Sequence, residues 1–185
     1  YQISTADQLK LFRDKVNDAK TKEETKICAV LTADIDLKNE EWTPIGIGNG
    51  TKNNGATIDF PYSGTFDGNG HSIHMGSYTS AASDTGVFRY VSEGAVVKNL
   101  TVTGTWEPSG GKSAIGGIVG HNSGTIENCM FNGVVDGKNN IGGIAGINEN
   151  TGVITGCTVR GEIRGEHYTG GVAGQNLGSI IRCTN

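Results

Sequence analysis

The sequence predicts an all-β solenoid closed at its N-terminal end by one α-helix. Three observations carry that expectation. First, the phrase Ile115-Gly-Gly-Ile-Val-Gly120 returns as Ile141-Gly-Gly-Ile-Ala-Gly146 and as Thr169-Gly-Gly-Val-Ala-Gly174, with start-to-start spacings of 26 and 28 residues. Self-similarity at a fixed period of this size marks a repeat array. Second, each copy is followed by an Asn, at Asn122, Asn148 and Asn176, and then by a Gly-x-Ile-x-x-Cys phrase ending at Cys129, Cys157 and Cys183. Third, Gly supplies 30 of the 185 residues at fixed register while Pro supplies 3. Periodic Gly without Pro excludes a collagen or a disordered Gly/Pro tract and points to tight corners and close backbone approach.

Taken in chain order, residues 4–19 read as a helix. Ser4 or Thr5 caps it, Thr5 with Gln8 fits a capping box, and Leu9, Phe12 and Val16 share one face. An amphipathic helix at the start of a solenoid covers the open apolar end of the first coil, as terminal units must. Lys26–Leu31 and Ile35–Leu37 read as short strands, and Trp42-Thr-Pro-Ile45 leads into a Gly/Asn-rich loop, 46–55. From Ser63 onward the pattern is strand–turn–strand. The expected organisation is an N-terminal cap over 1–62 and coils over 63–185, with repeats at about 113–140, 141–168 and 169–185, the last one truncated. A coil left open at Asn185 exposes strand edges, so the sequence reads as a fragment of a longer parent chain.

Aligning the coils places Leu100, Cys129, Cys157 and Cys183 in one register and Asn122, Asn148 and Asn176 in another. Equivalent positions of successive coils stack at about 4.8 Å, the strand spacing of a sheet. A register that accepts Leu and Cys alike is an inward apolar ladder. Stacked Asn side chains bond from coil to coil and tolerate a left-handed turn. Both ladders are structural.

These phrases resemble the GLUG motif, a glycine-rich repeat of bacterial surface proteins that include the N-terminal regions of IgA1-specific metallopeptidases and adhesin-like proteins. Upstream phrases resemble the region that precedes such repeats: Leu31-Thr-Ala-Asp-Ile-Asp-Leu37, Trp42-Thr-Pro-Ile-Gly46 and Gly64-Thr-Phe-Asp-Gly-Asn-Gly70. The resemblance implies an all-β, single-stranded parallel β-helix, right-handed, on the bacterial cell surface or outside the cell. Any catalytic machinery of a metallopeptidase would lie outside this chain, which holds no His-Glu-x-x-His phrase.

Other chemistry is weakly signalled. The net charge of −4 is spread along the chain, which excludes a basic nucleic-acid footprint. No stretch approaches the run of roughly 20 apolar residues that a membrane span needs. Cys28, Cys129, Cys157 and Cys183 form no Cys-x-x-Cys pair and read as buried free thiols, with a disulfide or an outward-facing Cys as the alternative. Asp67-Gly-Asn-Gly70 reads as a tight turn rather than a Ca²⁺ loop, for no Glu follows it nearby. Asp34 and Asp36 flank an inward Ile35 and take the same reading. His71 and His74 point to opposite faces of a strand, while His121 and His167 read as exposed turn residues. The carboxylates Glu127, Asp136, Glu149, Glu162 and Glu166 show no alignment with a stacked Lys or Arg, and Glu162 with Arg164 reads as a surface ion pair. Thr101, Thr103 and Thr105 share one face, but the next coils do not continue the array. Tyr62, Tyr78, Tyr90, Trp106 and Tyr168 are candidates for stacking on sugars. The sequons Asn49-Gly-Thr and Asn99-Leu-Thr carry no weight in a bacterial product.

The expected function is therefore a non-catalytic extracellular scaffold or adhesin-type repeat region, without cofactor, metal, nucleic-acid partner or membrane insertion. Its expected partners are a host glycan or surface protein and the rest of the parent chain. The alternatives are a carbohydrate-active lyase or glycosidase on the same fold, and the accessory domain of a secreted metallopeptidase.

Overall fold

The structure is a computed structural model that describes residues 1–48, 52–53, 56–57, 60–79, 82–108 and 110–185. Its chain winds through about six turns of a parallel β-solenoid. β1 (Gln2–Ile3), the helix α1 (Ala6–Asn17) and a 3-10 turn at Glu23–Lys26 lead into the next turn, which holds β2 (Ala29–Leu31), stacked on β1, and β3 (Ile35–Asp36). A two-stranded antiparallel ribbon follows, β4 (Lys52–Asn53) with β5 (Ala56–Thr57). The next turn holds β6 (Thr65–Asp67), β7 (Ser72–Tyr78) and β8 (Phe88–Val91). Then come β9 (Val96–Lys98), β10 (Thr101–Trp106), β11 (Ile115–Gly116) and β12 (Val119–Asn122). The two most regular turns are β13 (Thr125–Glu127), β14 (Met130–Asp136), β15 (Asn139–Gly142) and β16 (Ala145–Asn148), and β17 (Val153–Thr155), β18 (Thr158–Arg164), β19 (His167–Gly170) and β20 (Ala173–Asn176). β21 (Ser179–Ile181) begins the last one.

Stacking sorts these strands into four walls. β1, β2, β6, β9, β13, β17 and β21 form the longest wall, and β3, β7, β10, β14 and β18 the second. β11, β15 and β19 form a narrow third wall, and β8, β12, β16 and β20 the fourth. The expected boundary at 62/63 leaves no break in the ladder, because β2 pairs with β6 across it. Of the loop expected at 46–55, residues 49–51 and 54–55 lie outside the described residues, as do the Asn49-Gly-Thr sequon's three positions.

Alternation of side chains along each strand fills the interior with columns. Phe66, Val97, Ile126 and Ile154 stack in the first wall, and Ile73, Val102, Phe131 and Val159 in the second, all buried. Corners between walls carry a residue in the left-handed region. Asn99, Asn128, Gly156 and Arg182 form one such row, with φ of 52, 51, 62 and 51°. Asp84, Ala114, Asn140 and Tyr168 form another, with φ of 56, 56, 57 and 53°. Asn, Asp and Gly are the residues that reach this region at least cost.

One glycine column is obligatory. Gly104, Gly133 and Gly161 are in register across the second wall. A Cβ on Gly133 would stand 1.8 Å from the Gly104 carbonyl oxygen, and one on Gly161 would stand 1.9 Å from that of Gly133. No side chain fits between these coils.

Helix α1 starts at the N-cap Thr5, whose hydroxyl accepts from the Gln8 amide at 3.3 Å, while the Gln8 side chain accepts from the Ser4 amide at 2.7 Å. Leu9, Phe12 and Val16 are buried against the first turns. The Phe12 ring meets Tyr62 and Phe66 at 6.0 and 5.8 Å, and Phe66 meets Phe88 at 5.3 Å. Asn17 ties the helix end to the coil, donating to Pro44 O and accepting from the Gly46 amide.

Candidate functional site

The two ladders read from the sequence run inside the molecule up to the last coil, where Asn176 is exposed. Leu100, Cys129 and Cys157 are buried and Cys183 is half-buried at the last turn. The thiols of Cys129, Cys157 and Cys183 lie 3.6 Å from the carbonyl oxygens of Val97, Ile126 and Ile154, one coil earlier in each case. All four cysteines are free thiols, but the expectation that all are buried fails at Cys28, which is exposed outside the stacked register. Burial pushes the Cys129 thiol up from its ordinary value. Asn122 Nδ2 donates to Asn148 Oδ1, and Asn148 Nδ2 to Asn176 Oδ1, both at 2.8 Å. Each of these three side chains also donates to a carbonyl of the corner that follows it, at Gly124, Gly152 and Gly178. These residues hold coils together and offer nothing to a ligand.

Three of the five aromatic candidates are core residues: Tyr62, Tyr78 and Trp106 are 0, 5 and 0 % exposed. They lie at inward positions, where the apolar columns need bulk. Tyr90 and Tyr168 remain at the surface. The reading of the carboxylates is corrected too. Asp136 is in register with Arg164, 3.9 Å away, and Glu127 is in register with Lys98, which reaches Asp67 at 3.3 Å. Arg164 also bonds Glu162 at 2.5 Å. The Asp67–Gly70 segment is a tight turn: the Asp67 carboxylate accepts from the Asn69 amide at 2.8 Å, and Asn69 has φ of 51°. Burial opposes ionisation of Asp67, but bonds from Asn99, the Asn69 amide and Lys98 outweigh it and hold the carboxyl below its usual range. The Ser72 amide does the same for exposed Asp34. His71 lies 3.5 Å from Asp34, and His74 Nδ1 is 2.8 Å from the Thr103 hydroxyl on the outer face of the second wall.

The sequence reading missed His121. It sits in β12, not in an exposed turn, and it lies between carboxylates of two other coils. Nδ1 is 2.8 Å from Glu149 Oε1, and Nε2 is 3.0 Å from Asp84 Oδ1. Asp84 occupies a left-handed corner, where its main chain is held by Arg89: Nε donates to Asp84 O and Nη2 to Ser83 O. The Tyr90 hydroxyl donates to Asp84 Oδ2 at 3.0 Å, and its ring lies 5.0 Å from the His121 ring, tilted by 34°. Burial works to discharge His121, but its bonds to both carboxylates prevail and raise its pKa. Both ring nitrogens then donate. Burial likewise opposes the Asp84 charge, which His121 and Tyr90 nevertheless stabilise, so that its pKa falls. Burial and the Asp84 charge push Tyr90 up to about 12.

This cluster forms the floor of an open groove of about 600 Å³ at the corner between the fourth wall and the first. Ser92, Ser123, Asn150 and Thr151 line it beside Tyr90 and Glu149. The Ser92 hydroxyl oxygen is buried without a hydrogen-bond partner among the described residues. Among the described residues no group of three or more His, Cys, Asp or Glu side chains is placed to hold a metal ion, and no helix is long and apolar enough to cross a membrane. Repeat spacing did not point to the pair: the residue in register with His121 is Ile147, and Glu149 lies two positions further on.

Residues 111–136 and 137–164 each match the family model of the GLUG motif. Two GLUG repeats thus lie in this chain, over residues 111–164. The repeat chain is 38 % identical over 97 residues to halomucin of Haloquadratum walsbyi, a stretch that takes in 50 % of this chain and 1 % of halomucin. Its fold is similar to the crystal structure of a candidate immunoglobulin A1 protease from Bacteroides ovatus, with a TM-score of 0.77 and 25 % identity, over 99 % of this chain and 56 % of that one. The chain spans about half the length of that solved chain and a small part of halomucin. The matched repeats run from corner to corner of the solenoid and contain Gly133, Gly161, Cys129, Cys157, Asn122 and Asn148, the residues that stack one coil on the next.

Proposed function

We propose that this chain is a non-catalytic, extracellular scaffold of adhesin type within a larger secreted or cell-surface protein. The observation that carries the reading is the continuous parallel ladder, from β1 to β21 in one wall, whose repeated residues are spent on stacking. Each coil adds about 4.8 Å of length without changing the cross-section. Such a rod holds whatever adjoins it at a fixed distance and offers side walls for contact with a host glycan or surface protein. The similarity to halomucin and to a candidate immunoglobulin A1 protease supports a place outside the cell. The second of these also favours a more particular version, in which the rod is the accessory arm of a secreted peptidase.

Small-angle scattering tests the rod. Duplicating the coil 137–164 should lengthen the particle by one coil rise and leave its cross-section unchanged, and an unchanged length would overturn the reading. Incubation with plant and bacterial polysaccharides and with immunoglobulin A1 should leave all of them intact. Reducing ends, unsaturated products or antibody fragments that vanish on Glu149→Gln substitution would replace the scaffold with an enzyme.

A further inference from the structure

The groove over His121 has features that a stacking role leaves unexplained. Its volume of about 600 Å³ lies within the range of small-ligand sites. It runs along the solenoid rather than around it: the Ser123 amide bonds to Val91 O and the Glu149 amide to Asn122 O, so Ser92, Ser123 and Glu149 form one column over three successive coils. The column therefore repeats a polar side chain about every 4.8 Å, a pitch comparable to one pyranose unit of an extended glycan.

One group is set in advance for a ligand. The Tyr90 ring is fixed by its hydroxyl bond to Asp84 and by the His121 ring beside it, so no rotamer freedom is lost when a partner stacks on it. The Ser123 and Asn150 side chains line the groove beside it. Charge narrows the choice further. The one cation lining the groove, His121, has both ring nitrogens committed to Asp84 and Glu149, and the remaining charged groups, Glu93 and Glu149, are acidic. An anionic ligand would meet repulsion. A peptide strand would find no free edge, since β8 and β12 already pair with each other along this wall.

We propose that this groove binds an uncharged oligosaccharide lying along the solenoid axis, with one pyranose face on Tyr90 and its hydroxyls bonded to Ser123, Glu149 and Asn150. The inference rests on the reading of the chain as an extracellular scaffold and assigns that scaffold a ligand class and a site. The test is titration calorimetry on the intact chain with chitotriose, cellotriose and lacto-N-tetraose, with trigalacturonate as the anionic control. A neutral trisaccharide or tetrasaccharide should bind and trigalacturonate should not. Ser123→Ala and Asn150→Ala should each weaken binding about fivefold, the loss of one hydrogen bond, and Tyr90→Ala should remove it. Thermal unfolding of Ser123→Ala and Asn150→Ala should match the parent, which separates a binding effect from misfolding. Binding by trigalacturonate alone, binding equal in all three variants, or no binding by any neutral probe each overturns the site. None of these outcomes touches the rod, whose length is measured separately.

Discussion

Between Gln2 and Tyr90 the solenoid interior is packed with rings, Phe12, Trp42, Tyr62, Phe66, Tyr78 and Phe88, whereas between Ile115 and Asn176 it is packed with Ile, Val, Ala and Cys, and Phe131 is the one buried ring. The walls are continuous across both regions, yet their spacing rules differ. In the first region β7 carries an extra residue opposite Gly104, so that Thr103 pairs with His74 and Thr105 with Ser77. Its corner before β8 is one residue shorter: two residues separate Thr85 from Phe88, where three separate Ile115 from Val119. In the second region every pairing is in step from coil to coil. The contrast teaches that regular repetition is one way to stack a coil and not a requirement. The ring-packed coils hold the bulge in β7 and the short corner, while in the aliphatic coils the backbones approach to contact, which the glycines allow.

The largest expected effect breaks the regular region. Gly133→Ala drives a methyl group into the Gly104 carbonyl and should cost more than about 4 kcal/mol or abolish folding, read by denaturant unfolding. In the irregular region Gly70→Ala meets open space, so only its φ of +81° opposes the change and the cost should stay at about 1 kcal/mol. Equal costs would dissolve the distinction between the two regions.

Next comes the ring-packed region itself. Phe66 touches the rings of Phe12 and Phe88, and Phe66→Ala should lower stability by about 3–5 kcal/mol, with a corresponding fall in Tm. The Asn ladder ranks third. Asn148→Ala removes bonds to Asn122, Asn176 and Gly152 at a buried position, a loss of roughly 1–3 kcal/mol, while Asn176→Ala, exposed, should cost less. The smallest effect is electrostatic. His121 has a raised folded pKa, so its contribution is fully present below the unfolded value near 6.5 and is lost as pH rises through the folded value. Asp84 has a lowered one, so its contribution is present above the unfolded value near 3.9 and is lost as pH falls through the folded value. Unfolding free energy should fall by less than about 1 kcal/mol on the alkaline side, and His121→Gln should flatten that limb.

Legibility in the sequence follows the same divide. The column Leu100, Cys129, Cys157, Cys183 and the Asn row were placed by aligning the recurring phrases, because between Val97 and Asn176 each phrase keeps its place in the coil while the coil length varies from 26 to 29 residues. Upstream the bulge in β7 and the shorter corner at Gly86 break the alignment, and β2 and β3 were visible as strands without a register. The tyrosines were misplaced for a related reason: inward bulk at Tyr62 and Tyr78 replaces the aliphatic residues of later coils, so composition suggested surface where register demanded core. The groove was hidden because its members come from three coils, 37 residues apart between Asp84 and His121. The corner row that supplies Asp84 is occupied elsewhere by Ala, Asn and Tyr, which share a backbone angle and no chemistry.

The stacked thiols give the rod a built-in chronometer. Cys28 is open to reagent at once, Cys183 is half covered, and Cys157 and Cys129 are shut behind successive coils. An alkylating reagent present during slow unwinding from the far end would therefore mark Cys183, then Cys157, then Cys129. The order and intervals of labelling would record how many coils let go together, and whether the rod peels turn by turn or yields as one piece.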